Sequence, residues 1–517
     1  MVNELKATLE SEKNKQVTEN GAVGYKTTGK HLVDLNFKVT SMRNGISDSD
    51  MDIFVQAMRE DLEYTIKWLF FMRDVRGGMG ERDVFQKMYM QYAKLYPLEA
   101  KATLELVAEF GRWKDVIDII NLDTANTLGG IELVKDTFYR DIQNCMEGKS
   151  ISLLAKWMPS INASAKARVQ AKKFIKWFGL SCNTYRKMLS KLRAHLDVTE
   201  VKTCGNRWGE IDYNKVSSNA NKRYARAFMK HDEKRYTEHC SKAMDVKSNP
   251  DVKMHAEVLY PHEIWKKYSN KTGYYSSYYA ETLTEDVSLE AMWKNLKDLG
   301  DCGNTMVVVD GSGSMTSQIG NIKPIDVSRS LGVYFAERCQ GEFHNILMEF
   351  SSQPQLIDLN GCKSLKDKVV EMLKYNDCTN TNIEAVFMLI LQTAIKSKMK
   401  QSDLPERILI VSDMEFDMAT SNTMCFFGMK ALFDDLAKIY AESGYKLPKL
   451  VFWNVCSRTN TIPMTENEMG VIMVSGFSPN ILSMVMSDQT DPWLALKEKL
   501  DSDRYVCISN AIKSMNR

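Results

Sequence analysis

The feature that most restricts how this chain can fold is a change of texture near residue 300. Beyond Gly303, short and strongly apolar runs recur at 306–309 (MVVV), 408–411 (ILIV), 450–455 (LVFWNV) and 471–474 (VIMV). They lack the alternation of a sheet face open to water, so each reads as a strand buried on both sides. Helical stretches separate them at 326–340, 364–375, 382–398 and 427–443. A strand pair is expected at 343–351 and 354–358, and helices after the last strand. Strands alternating with helices make a doubly wound parallel sheet with both faces covered.

Upstream, the apolar spacing becomes helical. Phe54, Met58, Leu62, Ile66 and Leu69 mark one helix running from Asp50 to Arg76-Gly77-Gly78, where glycine suits a C-cap. Phe85, Met88, Tyr89, Tyr92 and Leu95 mark a second over 81–96, and Pro97 opens a third. Further helices are expected at 111–122, 131–146, 163–178, 181–195, 213–230, 232–244 and 286–300. Such a succession with short connections builds a bundle or a solenoid. Residues 1–45 read as an extended segment docking on these helices. The division expected is therefore 1–45, a helical domain at 46–300 and an α/β domain at 301–517. Lys271–Tyr279 reads as an exposed, tyrosine-rich loop. The glycine-rich Arg76–Arg82 stretch matches neither a P-loop nor a dinucleotide fingerprint and reads as a helix-to-helix connection.

Composition excludes several classes. No run of 18 apolar residues exists, so no membrane span is expected. The eleven cysteines include no C-x-x-C pair, which fits reduced thiols better than a disulfide framework or a zinc ribbon. The charged N-terminus, MVNELKATLESEKNK, lacks a secretory core, and a cytoplasmic location is expected.

The first strand of the α/β half runs into Asp310-Gly311-Ser312-Gly313-Ser314. Ligands of open α/β sheets sit beyond the carboxyl ends of the strands, at the point where strand order reverses. A carboxylate and two hydroxyls on one tight turn can converge on one ion, and hard oxygen donors select Mg²⁺, or Mn²⁺ or Ca²⁺, over zinc. Two later segments complete the set: Thr381 offers a hydroxyl ahead of a helix, and Asp413, past the 408–411 strand, offers a second carboxylate. The competing reading is a Ser/Gly turn that caps the next helix, with Asp413 as a strand-end cap. Thr379 competes with Thr381, and Asp417 is a surface residue that could assist. Neither Ser312 nor Ser314 stands in a nucleophile elbow, and the nearest histidine, His344, lies on an expected strand, so no catalytic residue is assigned.

From Gly148 through Leu196 there is no Asp or Glu, against eleven Lys and Arg. That imbalance is the footprint of a phosphate-binding surface. The candidate RNA contacts are Lys166, Arg168, Lys172, Lys173, Lys176, Arg186, Lys187, Lys191 and Arg193, with Trp177, Phe178 and Tyr185 as candidate stacking partners, at least some of which must be core because the helices need an apolar stripe. The competing reading is a solvated basic face paired with Asp115, Asp118, Asp232 or Glu233.

The D-x-S-x-S turn followed by a distant Thr and a distant Asp resembles the metal-ion-dependent adhesion site of von Willebrand factor A domains. Asp310, Ser312, Ser314, Thr381 and Asp413 match it, and Thr381 is preferred over Thr379 because Asn382 follows, as in that family's T-[DN] pattern. The whole chain resembles the TROVE-domain (Ro ribonucleoprotein autoantigen-like) proteins through 18–22 (TENGA), 73–83 (RDVRGGMGERD), 111–115 (GRWKD), 155–160 (AKWMPS), 207–213 (RWGEIDY) and 259–264 (LYPHEI). These segments are closest to a branch with the same two-part layout. The resemblance implies a multidomain α plus α/β fold, with a HEAT-like helical repeat region able to close a ring and a C-terminal Rossmann-like von Willebrand A domain. It implies a monomeric, non-catalytic RNA-binding protein that takes small or misfolded noncoding RNA, or single-stranded RNA ends. The alternative function is a metal-dependent module that captures a partner protein's carboxylate.

Overall fold

The structure is a computed structural model that describes residues 6, 9, 12–272, 282–350, 354–375, 382–416, 424–463, 471–486, 489 and 491–515. The chain forms two compact units. One comprises Met1–Asp61, Cys240–Asn249 and Ala256–Leu500; the other comprises Leu62–His239, Pro250–His255 and Asp501–Arg517.

The first unit opens with an antiparallel hairpin, β1 (Lys15–Val17) and β2 (Val23–Tyr25). Its centre is a six-stranded mixed sheet: β3 (Thr305–Val309), β4 (Ile346–Glu349), β5 (Gln355–Asp358), β6 (Arg407–Ser412), β7 (Lys449–Asn454) and β8 (Val471–Ser475), in the order β5-β4-β3-β6-β7-β8. Only β5 runs antiparallel, against β4. The chain builds outward from β3 to β4 and β5, then returns to the other side of β3 for β6, β7 and β8, so strand order reverses between β3 and β6. Both faces are dry. Met306, Val308, Ile408, Ile410, Leu450 and Phe452 share one core with Val386 and Phe387 of the helix Ile383–Ser397 and with Leu432, Phe433 and Leu436 of the helix Met424–Glu442. On the other face the ring of Phe335, from the helix Pro324–Ala336, lies 5.0 Å from that of Trp453.

The N-terminal segment belongs to this unit, which corrects the expectation that it docks on the helical region. The backbone N–H and C=O of Tyr25 pair with those of Ile462, 2.8 Å each way. Residues 31–38, expected to be extended, form the helix His31–Lys38. Leu32, Val33, Leu35 and Phe37 are buried, Phe37 in the sheet's core, and the helix packs against β8. Apolar residues at 33, 35, 37 and 39 imitate strand alternation in so short a run, and burial decides for helix. The single helix expected from Asp50 is two, Asp48–Glu60 and Leu62–Arg73, parted at Asp61, whose backbone is extended (φ −155°, ψ 101°). The helix Pro261–Thr272, in a stretch read as mixed, also belongs to this unit. Of the Lys271–Tyr279 loop, residues 273–279 lie outside the described residues.

The second unit is helical, as its apolar spacing predicts. Phe70, Phe85, Tyr89 and Phe110 pack edge to face around its first helices. The Arg76–Arg82 stretch connects the helices Leu62–Arg73 and Asp83–Leu95, as expected. It folds back over the first of them: the N–H of Gly78 donates to Asp74 O and that of Met79 to Phe71 O. A Cβ at Gly78 would lie 1.9 Å from Phe71 O, so glycine is required by the close approach of backbone. The C-terminus also returns to this unit. The helix Val506–Ser514 packs against Leu62–Arg73 and Pro97–Thr103, and Tyr505 stacks on Phe110 at 5.6 Å. Fully buried Asp74 organises the junction, accepting from Arg504 Nη2 (2.6 Å), Tyr505 Oη (3.1 Å) and the Arg76 N–H (3.0 Å).

Two predictions follow from this junction. Gly78→Ala should lower stability by about 1–3 kcal/mol, as overpacking does, while Gly209→Ala, which meets nothing within 4 Å, should stay within about 0.5 kcal/mol; urea denaturation of both variants checks this. Asp74→Ala should cost about 2–4 kcal/mol in the same assay. That is slightly below the usual range for breaking a buried pair, because the Arg504 side chain keeps 33% of its exposure.

Candidate functional site

Strand β3 is buried along its whole length and delivers Asp310 to the reversal point. The Asp310 N–H donates to Val411 O on the neighbouring strand (3.0 Å) and to Ser328 Oγ (3.1 Å). Its two carboxylate oxygens are also engaged: Oδ1 accepts from the Ser312 N–H (2.9 Å) and Oδ2 from Ser412 Oγ (2.5 Å). Ser312 Oγ and Ser314 Oγ are 2.9 Å apart. Only glycine fits between Asp310 and Ser312, since a Cβ on Gly311 would meet Glu349 Oε1 at 1.7 Å. Glu349 ends β4 and is held by a buried ion pair with Arg329 at 2.8 Å.

Asp413 leaves the adjacent strand β6 beside this turn. Its side chain is buried, and Oδ1 accepts from the Glu415 N–H at 3.2 Å. Oδ2 is shielded from solvent and has no hydrogen-bond partner among the described residues; the nearest cation is Arg458 Nη2 at 3.7 Å. Burial first, and the neighbouring Asp310 carboxylate second, push its carboxyl up to about 7 from an ordinary 3.8, against the opposing influence of the nearby Ser314 hydroxyl, the Glu415 N–H and Arg458. The next residue, Met414, has φ of 63°, a left-handed backbone that a non-glycine residue adopts at some cost. Two carboxylates and two hydroxyls thus meet at one point, and one buried carboxylate oxygen is left without a donor. That set suits a hard divalent cation. Thr381, the fifth expected donor, lies outside the described residues, as do Thr379 and Asp417. Among the described residues no cluster of three or more His, Cys, Asp or Glu side chains is present.

One feature of this region carries no signal in the sequence. Buried Glu415 accepts from Ser457 Oγ and from the N–H groups of Arg458, Thr459 and Glu19, tying the N-terminal segment to the loop beyond β7. The same tie sets Arg458 between Glu19, at 2.5 Å, and Asp413. Partners separated by some 400 residues cannot be paired by any local pattern.

In the helical unit the basic stretch occupies the helices Ala165–Phe178 and Cys182–His195. The first is capped by Ser164 and closed by Gly179 in the left-handed conformation; the second is capped by Ser181. Ala171, Phe174, Ile175 and Phe178 form the buried stripe of the first, and Tyr185, Leu189 and Leu192 that of the second. The opposite faces expose Lys166, Arg168, Lys172, Lys173, Lys176, Arg186, Lys187 and Lys191. None of these eight is ion-paired with a carboxylate among the described residues. Three of the acids that could have neutralised them are engaged elsewhere: Asp115 with Arg73 and Arg112, Asp118 with Lys114, and Asp232 with Arg235.

Arg193 departs from the expectation. It is half-buried, and its guanidinium donates to Ala155 O, Ser160 Oγ and Met158 O at 2.9, 2.6 and 2.6 Å, which fixes the 155–160 segment. Two of the three aromatic candidates are core. Phe178 and Tyr185 are core residues packed on Phe138, and half-buried Trp177 lies edge-on to Phe174. The helices need an apolar stripe, and these rings provide part of it.

Comparison with known proteins adds four likenesses. Residues 304–507 match the domain of unknown function DUF7788, and residues 18–137 and 179–304 match the domain of unknown function DUF2828. The unmatched interval between the two DUF2828 segments contains the helix Ala165–Phe178. Uncharacterized protein L728 of Acanthamoeba polyphaga mimivirus is 29% identical over 511 residues, an alignment that covers 92% of this chain and 85% of that protein. Among solved structures, the RO (RSR) protein of Deinococcus radiodurans aligns over 92% of this chain and 99% of its own, at 10% identity and a TM-score of 0.31, a superposition too loose to build on.

Proposed function

We propose that this protein binds RNA, without chemical turnover, through the cationic face of the helices Ala165–Phe178 and Cys182–His195. The observation that carries this reading is the set of eight exposed Lys and Arg side chains with no carboxylate partner among the described residues. Phosphates are the natural counter-charge for such a surface, and binding to them releases condensed counterions. The resemblance to TROVE-domain proteins points the same way and names small noncoding RNA, or single-stranded RNA ends, as the class to try first. With Phe178 and Tyr185 buried and Trp177 edge-on to Phe174, the face contacts backbone more than bases, so its recognition of RNA is by charge and shape.

The second part of the proposal concerns the sheet unit, read here as a von Willebrand A-type domain. Asp310, Ser312, Ser314 and Asp413, with Thr381, would hold one Mg²⁺, Mn²⁺ or Ca²⁺. Such an ion supplies an open coordination position for an external oxygen ligand. The chain's own residues would orient it: Ser412 and the Ser312 N–H fix the Asp310 carboxylate, and the Glu415 N–H fixes that of Asp413.

Two experiments test these readings. Fluorescence anisotropy with structured and single-stranded RNA should show binding that weakens steeply with salt. The triple variant Lys172→Glu, Lys173→Glu, Lys176→Glu should bind at least about tenfold more weakly and flatten the log–log salt slope by about 2. Wild-type protein that shifts no RNA at low salt would rule the reading out. For the cation, Mg²⁺ or Mn²⁺ should raise the melting temperature of the wild type and leave that of Asp310→Ala unchanged. Asp413→Asn removes a buried, poorly compensated charge. It should raise the melting temperature of the cation-free protein by about 1–2 °C, since about 1 kcal/mol is worth ~2–4 °C at roughly 150–250 residues and less in a larger unit, and abolish the response to metal. Cation-induced shifts that survive both substitutions would place the ion elsewhere.

A further inference from the structure

A cleft of about 660 Å³ opens within the helical unit. Its size falls in the ~300–1,000 Å³ range usual for small-molecule sites. The helices Leu154–Trp157, Cys182–His195, Thr199–Cys204 and Ser218–His231 line it. Three kinds of group meet there. Arg186 and Arg223 are exposed among the lining residues; Arg186 has a 3.4 Å contact to Asn183 Oδ1, and no carboxylate among the described residues pairs with either. Trp157 contributes a half-buried aromatic ring, with the Arg112 guanidinium 4.8 Å from its centroid. Glu200 contributes a carboxylate whose Oε1 lies 3.7 Å from Lys156 Nζ and whose Oε2, shielded from solvent, has no hydrogen-bond partner among the described residues.

These groups ask for different things from a ligand. A guanidinium matches a phosphate geometrically and electrostatically. A shielded carboxylate oxygen needs an N–H or O–H donor; a phosphodiester has none, and the O–H of a free phosphate brings its own negative charge against the carboxylate. An aromatic wall favours a flat ring. An acidic peptide would meet Glu200 as a like charge. The ligand class that carries phosphate, ring and donors together is a nucleotide, whose exocyclic amino groups and ribose hydroxyls are donors. Arg193, bonded to Ser160 Oγ at 2.6 Å, anchors one of these walls to another before any ligand arrives.

We propose that this cleft binds a single nucleotide, with its phosphate on Arg186 and Arg223, its base against Trp157 and a base or sugar donor on Glu200 Oε2. Free nucleotide and the phosphorylated end of an RNA share this chemistry. Where the occupant is an RNA end, the inference rests on the RNA reading above; a free nucleotide needs only the cleft.

The test uses the full-length protein. The probes are AMP, GMP, CMP and UMP, together with single-stranded RNA decamers bearing or lacking a 5′-phosphate. Affinity is read by equilibrium dialysis. Occupancy is read by iodoacetamide labelling of Cys204, an exposed lining residue, against Cys182, which is exposed and outside the lining. At least one monophosphate should slow labelling of Cys204 and leave Cys182 unaffected. Arg223→Ala and Glu200→Ala should each weaken that probe about tenfold, the loss of one charge-assisted contact, in protein whose circular dichroism is unchanged. Competition by the 5′-phosphorylated decamer alone would identify an RNA end as the source, and binding of monophosphates alone a free nucleotide; both support the cleft. If no monophosphate or decamer protects Cys204 at millimolar concentration, the inference is wrong, whether or not longer RNA binds elsewhere. If Cys204 is protected while no RNA of any length binds, the cleft stands and the RNA reading falls.

Discussion

The parallel pairing of β3 with β6, with Val309 opposite Val411, is the contact on which the candidate cation site depends. It sets Asp310 and Asp413 side by side at the carboxyl edge of the sheet, although a hundred residues separate them. The bond from the Asp310 N–H to Val411 O extends the same ladder by one residue. A slip of one residue would turn every side chain to the opposite face. It would carry Val308 and Ile410 out of their core and the two carboxylates away from each other. The apolar strands enforce the register because both faces are buried, and the register in turn crowds two acids that repel. Hydrophobic burial thus holds together a charge arrangement that would fly apart alone, which is the condition for a site that gains from a bound cation.

The helical unit solves a different problem. Its helices are short, and helices of this length are marginal in isolation. Buried polar junctions tie successive turns together. Asp74 gathers Arg504, Tyr505 and the Arg76 N–H, while Arg73, on the preceding residue, reaches Asp115 on the helix Trp113–Leu122 through Nε at 2.9 Å. Breaking such a junction leaves charges buried without partners. The closing helix comes from the far end of the chain. The unit is therefore continuous in space and split in sequence.

Legibility in the sequence follows the range of the forces involved. The runs at 306–309 and 408–411 declare their strands because burial on both faces leaves no other composition available. The D-x-S-x-S turn is legible because three donors lie within five residues, and the buried stripes of the basic helices show in their spacing. The helix His31–Lys38 is not legible, because its fold is decided by contact with β8, more than 400 residues away in the chain. The break at Asp61 is equally hidden, since apolar spacing continues across it in Met58, Leu62 and Ile66. Arg193 looks like its neighbours in a basic run; only the three-dimensional position of Ala155, Met158 and Ser160 shows that its donors are used internally. Glu200 and Arg223 escape for the same reason, since the cleft that gives them meaning is assembled from four helices.

The exposed lysines of the basic helices, with no carboxylate partner among the described residues, differ from the paired cations of the second unit in what they do for the fold. Arg73, Lys114, Arg193 and Arg235 each satisfy a carboxylate or a carbonyl, and folding accounts for them. Lys172 and Lys176 stand four residues apart on one exposed helix face, where like charges are destabilising by about 0.2–0.5 kcal/mol. Lys173 and Lys176, three apart, repeat the arrangement. A helix selected only for stability would place an acid at one of these positions, as Lys114 and Asp118 do on the helix Trp113–Leu122. Across 49 residues no acid is supplied, although the chain as a whole carries nearly as many acids as bases, 66 against 68. Net charge therefore hides a segregation that works against the isolated fold. No carboxylate among the described residues relieves the repulsion along these two helices, and a polyanion spanning both would relieve it at several positions at once.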